Sequence, residues 1–240
     1  MPKQFFLIIL ITSLLTTHCT QQSTIQETQR VEQATGSSKA FETATVRFEQ
    51  NATDGDVEVV FEVKGGDAGI LSLKITAPDG RIVSDFTAPD PTTLGIRQFV
   101  MESPEPKGVQ SLKNAYPEGV YSFTGIDAEG ISFQSEATLN HQLPATASFL
   151  NPMAEAKEIP IEALEIKWDL LENIVSYIVE IEQDELEVNI TAKLTGDATS
   201  FAVPEHFLQP GTDYALSIGT VTKEGNISFV ETSFTTAGEE

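Results

Sequence analysis

The chain is poor in the residues that would fasten or activate it chemically. Of 240 residues only one, Cys19, is cysteine, so no intrachain disulfide can form. Whatever it folds into must be held by apolar cores large enough to stand without staples. Basic residues are also scarce, 14 against 36 acidic ones, for a formal net charge of -22. Such a surface repels nucleic-acid phosphates and anionic headgroups, which excludes nucleic acid as a partner. The longest apolar run, Phe5 to Leu15, has about eleven residues, too few to cross a bilayer about 30 Å thick as a helix. There are three histidines: His18, His141 and His206. His18 lies at the end of that N-terminal stretch, and neither His141 nor His206 has a nearby Cys, His or Asp at ligand or triad spacing. A Gly-rich phosphate loop, a zinc spacing and a G-x-S-x-G elbow are all missing as well. Without a nucleophile and its base, the sequence does not predict an enzyme.

What the first residues do offer is an export signal. Lys3 gives a short positive region ahead of the apolar run, and no alanine occurs before Ala34 to supply an A-x-A-like cleavage site. Leu15-Thr16-Thr17-His18-Cys19 instead resembles the lipobox of bacterial lipoproteins. That resemblance implies that the Cys19 thiol is joined to diacylglycerol, the peptide is cut before it, and the new amino group is acylated. Several acyl chains hold a protein on a membrane where one is marginal. His18 stands where the family has a small residue and Thr16 where it has leucine, so plain secretion and an uncleaved anchor remain the alternatives. We therefore expect a signal peptide over 1–18 and a flexible polar tether over 19–40, rich in Gln, Thr and Ser. The expected location is a bacterial cell envelope, at the outer membrane, periplasm or cell surface.

From about Phe41 the apolar residues alternate. Val57, Val59, Phe61 and Val63 fall on one face of a strand, with Glu58, Val60 and Glu62 on the other. Leu71, Leu73 and Ile75 form the next strand, Pro78-Asp79-Gly80 a turn, and Ile82 begins the return. Further strands are read at Leu94 to Glu102 and at Gly119 to Leu139, the latter folded at Asp127 to Gly130. No amphipathic helix exceeds a turn or two. Short strands at this spacing predict an all-β chain of two tandem antiparallel β-sandwiches, over 41–143 and 144–240.

The second segment places Trp168 at the end of one strand and Tyr177 in the next. Leu208, Pro210, Thr212 and Tyr214 follow in the pattern L-x-P-x-T-x-Y, and Gly225-Asn226 makes a last hairpin turn. This resembles the fibronectin type III module. The resemblance implies a β-sandwich with Trp168, Tyr177, Leu208 and Tyr214 in its core, the Tyr214 hydroxyl bonded back to nearby backbone. In the first segment Leu112, Tyr116, Gly119 and Tyr121 stand in an order resembling Ig-like bacterial modules with a P-x-G-x-Y turn. The chain as a whole looks like exported bacterial proteins that contain fibronectin type III domains.

Two acidic stretches bear on function. Asn51, Asp54 and Asp56, with Asp85 and Asp90 further on, are candidate calcium ligands. The same residue types are what a turn wants, and the turn reading is the stronger, so no metal and no cofactor is assigned. Glu180, Glu182, Asp184, Glu185 and Glu187 make an acidic ridge around one hairpin. A charged edge that prevents strand-to-strand aggregation accounts for it, and a binding loop is the alternative. The expected function is a non-enzymatic binding or adhesion module for an unidentified protein or glycan. A spacer subunit of a larger envelope complex is the other reading, and the membrane is engaged only through the lipid.

Overall fold

Alternation of the kind read above pairs strands by hydrogen bonds and buries one side of each. The computed structural model describes residues 38–90, 94–104 and 108–238. The expected signal peptide, Cys19 and nearly all of the expected tether lie outside the described residues. In the first half, β1 (Thr43–Asn51), β2 (Asp56–Lys64), β3 (Ile70–Thr76), β4 (Ile82–Thr87) and β5 (Gln98–Glu102) precede a seven-residue helix, α1 (Val109–Ala115). Then come β6 (Gly119–Asp127) and β7 (Ser132–Leu139). The sheet β4-β3-β6-β7 faces β1-β2-β5. Between them lies a core that includes Phe48, Phe61, Leu73, Ile75, Tyr121 and Phe123. Burying one such side chain contributes about 1.5–3 kcal/mol.

The second half contains β8 (Phe149–Asn151), β9 (Ala156–Ile159), β10 (Glu165–Trp168), β11 (Ser176–Gln183) and β12 (Val188–Thr195). It ends with β13 (Ser200–Ala202), β14 (Asp213–Val221) and β15 (Ile227–Thr236). The sheet β13-β10-β8 packs over β12-β11-β14-β15. Trp168 and Tyr177 meet at 5.3 Å between ring centres in a second core, which also holds Leu208 and Tyr214. Tyr214 makes the expected corner: its hydroxyl accepts a 2.8 Å hydrogen bond from the Gln209 N–H. Tyr121 makes an equivalent closure in the first sandwich, donating to the Pro117 carbonyl at 3.0 Å. The all-β class and the antiparallel sandwich sheets are as the sequence predicts.

Two local readings change. Val60, expected on the solvent side of β2, is fully buried. Its neighbours in register are Arg47 on β1 and Glu102 on β5, and long charged side chains cover apolar surface with their stems. Lys39, expected in the tether, is already bound to β7: its N–H donates to the Ser132 carbonyl and its own carbonyl accepts from Gln134.

The sandwiches are not beads on a string. β1 of the first pairs in parallel with β15 of the second, joining their sheets into one eight-stranded sheet in which β9 also pairs with β15. The seam is short: Glu49 opposite Ile227, Gln50 opposite Ser228 and Asn51 opposite Phe229. The apolar cores stay separate, so polar groups carry the joint. Asn226, buried in the β14–β15 turn, accepts from the Phe48 N–H at 2.8 Å. Its amide group donates to Asn140 and to the Gln142 carbonyl in the connecting segment. Ser228 donates to the Pro144 carbonyl, Thr220 to the Ala145 carbonyl, and Gln50 to the Ser228 hydroxyl.

Candidate functional site

Side chains alternate across a strand, so the seam that puts Asn226 and Ser228 on the inner side turns a different set outward. Glu49 on β1 and Glu58 on β2 are direct cross-strand partners. Like charges in that position repel. Arg47, two residues along β1, gives its guanidinium to Glu49 at 2.8 Å. From the second sandwich, β11 contributes Glu180 and β15 contributes Phe229 and Glu231. These residues, with Asn51, Asp56 and Val57, border a depression of about 280 Å³. Phe229 is opposite Gly219 in register, and a β-carbon there would come within 2.6 Å of its ring. The glycine thus leaves room for the ring to lie flat on the sheet. The result is an aromatic surface among carboxylates drawn from both sandwiches.

The electrostatics follow from this crowding. Burial pushes the Glu58 carboxyl up to about 7, with Glu49, Glu102 and Asp56 adding to the effect and Arg47 opposing it. Glu180 is raised too, chiefly by burial; Glu182 and Glu49 add to the shift. Hydrogen bonds from Ser217 and Thr191 work against it. Glu49 therefore acts on a partner in each sandwich. A site with this charge and shape suits a cationic group, an ammonium or guanidinium placed over the ring face.

The candidate calcium ligands are used locally. Asn51 Oδ1 accepts from the Thr53 N–H at 3.0 Å, Asp54 Oδ1 from Asp56 at 3.0 Å, and Asp56 Oδ1 from Val57 at 2.8 Å. The first two are Asx-type turn bonds, and the third is a bond to the adjacent residue at the start of β2. Asp85 pairs with Lys74 at 3.1 Å. Among the described residues no group of three or more His, Cys, Asp or Glu is set to hold a metal ion. His141 packs its ring on Phe48 and bonds through Nε2 to the Tyr116 carbonyl, a structural role at the joint. His206 sits apart in a loop. Of the acidic ridge, Glu180 reaches the depression, whereas Asp184, Glu185 and Glu187 stay on the exposed hairpin. Sequence reading missed Glu49, Glu58, Phe229 and Glu231 as a set because they are far apart along the chain. The one available signal was a glutamate at the solvent position of each of these alternating strands.

No protein-family model and no curated protein matches the chain. Among solved structures it is similar to the fibronectin(III)-like modules of Clostridium thermocellum CbhA, at 12% identity and a TM-score of 0.34, over 82% of this chain and 92% of that one. It is also similar to the chicken CNTN1 FN1–FN3 domains, at 13% identity and a TM-score of 0.31, over 82% and 67% of the two chains. A two-domain fibronectin type III segment of chicken tenascin gives 13% identity and a TM-score of 0.31, over 80% and 97%. These scores are low, and the two-sandwich architecture stands on the strand pairing and the two cores described above.

Proposed function

We propose that this chain is a non-enzymatic binding module of a bacterial cell envelope, tethered through a lipid on Cys19. It presents its two sandwiches as one unit to a protein partner. The observation that carries this reading is the depression at the seam, where Glu49, Glu58, Glu180 and Glu231 surround Phe229. A concave surface built from both sandwiches, acidic and aromatic, fits a basic segment of a partner better than a neutral glycan. Capture from solubilised membranes with the intact protein tests it. A partner retained by the wild type and lost with Glu49→Gln/Glu231→Gln supports the reading. Equal recovery with both forms removes the depression as the contact surface. Labelling cells with a palmitate analogue, with and without Cys19→Ser, tests the anchor; an unlabelled wild type would leave a secreted protein.

The joined sheet favours a second reading, a spacer in a larger envelope assembly. Continuous pairing of β1 with β15 fixes the direction in which one sandwich follows the other. In that case captured partners would bind the loops at the two far ends, and changes at the seam would leave capture intact.

A further inference from the structure

We propose that this chain pairs with a second copy of itself through the free edge of β12, the two strands running antiparallel about a two-fold axis at Ile190. β12 is the first strand of the joined sheet, and among the described residues no strand pairs with its outer side. It matches β11 residue for residue, from Ser176 opposite Thr195 to Gln183 opposite Val188, without a bulge. Such an edge leaves every second backbone N–H and C=O unpaired, a template for another strand. The usual protections are thin here. Val188 to Thr195 holds no proline, no acidic residue and one charge, Lys193. The acids of the hairpin gather in the turn before the strand, at Asp184, Glu185 and Glu187.

The inner row of β12 is apolar surface that its own sandwich leaves partly uncovered. A sheet of three strands, β13-β10-β8, lies over four, and β12 is at the margin. On β11, Tyr177, Val179 and Ile181 are fully buried, whereas their β12 partners Leu194, Ala192 and Ile190 are half-exposed. Leu194 still packs on the second core; Val188, Ile190 and Ala192 do not. A two-fold axis perpendicular to the sheet keeps each row on its own face, so like rows meet. With the axis at Ile190, that residue meets Ile190 of the second copy, and Val188 meets Ala192 on either side of it. On the outer row, Asn189 meets Thr191 and Lys193 comes beside Glu187, again on both sides. Lys193 is exposed and makes no ion pair among the described residues. Self-pairing thus gives the lysine of each copy a carboxylate of the other, in a chain whose net charge of -22 otherwise drives copies apart. Pairing β12 with β5, the far edge of the same sheet, would instead run head to tail and stay open-ended.

The test is sedimentation equilibrium of the full chain carrying Cys19→Ser, in mild detergent that keeps the apolar N-terminal runs apart. The expected result is a monomer–dimer equilibrium. Lys193→Glu and Glu187→Lys each set like charges together twice per dimer, and each should weaken association about tenfold. The double variant restores both pairs and should return dimerisation to the wild-type level. Net charge alone predicts otherwise, since Glu187→Lys lessens the repulsion between copies. Both positions are exposed, so the reversals leave the fold intact. Register is read with Ile190→Cys in the same background: its thiol faces its own copy across the axis and should oxidise to a covalent dimer. Thr195→Cys, at the end of the same strand, lies far from its copy and should stay unlinked. A chain that is monomeric throughout the concentration range overturns the proposal. So does a dimer indifferent to both charge reversals, a double variant as weak as the single ones, or open-ended oligomers. Linkage of Thr195→Cys as ready as that of Ile190→Cys overturns it too.

Discussion

The backbone N–H of Phe48 donates a 2.8 Å hydrogen bond to Oδ1 of Asn226, 178 positions later in the chain. One buried side chain thus closes a β-hairpin in the second sandwich, a strand of the first and the segment that connects them. Asn226→Ala leaves the Phe48 donor and the Asn140 and Gln142 carbonyls without this partner. Buried unpaired groups of this kind cost about 1–3 kcal/mol each, and part is recovered by relaxation, so we expect a loss of about 2–4 kcal/mol. Denaturant unfolding checks it. The wild type should unfold in one transition, and Asn226→Ala should separate it into two as the sandwiches uncouple.

The two tyrosine closures make a matched pair. Tyr214→Phe removes the acceptor for the Gln209 N–H, and Tyr121→Phe removes the donor to the Pro117 carbonyl, without changing either core. Each should cost about 1 kcal/mol, the usual net worth of a single hydrogen bond. Burial pushes the Tyr121 hydroxyl up to about 12, so it stays a donor across the working pH range. The Tyr121→Phe penalty should therefore be the same at neutral pH and in mild alkali, as thermal unfolding would show.

The sandwiches were readable from the sequence because their signals are local. Alternation at Val57, Val59, Phe61 and Val63 names a buried face within a few residues, and the segment from Leu208 to Tyr214 closes its own corner. The joint was not readable, because pairing of Glu49–Asn51 with Ile227–Phe229 depends on residues with no periodic relation. Gly225-Asn226 is a correct hairpin turn by its chemistry, and nothing in that dipeptide tells that the asparagine is buried against the other sandwich. The depression inherits this limit. Glu180 was legible as part of an acidic hairpin, and its neighbours Glu49 and Glu58 were legible only as solvent-side residues of other strands.

Gly219 is fitted to Phe229. A β-carbon at Gly219 would press on the ring at 2.6 Å, so Gly219→Ala must displace the ring from the sheet. Overpacking of this sort costs about 1–3 kcal/mol. Combining it with Phe229→Leu should recover part of the loss, because the smaller side chain gives way. Melting temperatures of the two single variants and the double variant measure the coupling, and strict additivity would show that the contact is not the cause.

Stability should fall as pH rises toward neutrality, and Glu58 gives the sign. Its carboxyl titrates at about 7 in the folded chain against 4.5 as the ordinary value. Between those values the native state binds more protons than the unfolded one, so stability decreases with rising pH across that window. The contribution is fully present below it and gone above it. Asp79 and Asp197 act oppositely and at lower pH: hydrogen bonds, chiefly from Arg81 and Thr195, hold them below the usual carboxylate range. They add stability that is lost on acidification, so the optimum should lie on the mildly acidic side. Self-repulsion in a chain of net charge -22 also lowers stability with pH, and it does so in every variant. The informative quantity is therefore the difference between the wild type and Glu58→Gln. Calorimetric melting temperatures should show the variant gaining on the wild type from about pH 5 to about pH 8, with most of the gain near neutrality. Parallel curves would mean that Glu58 titrates as an ordinary surface carboxylate and that the charges at the seam are relieved by solvent.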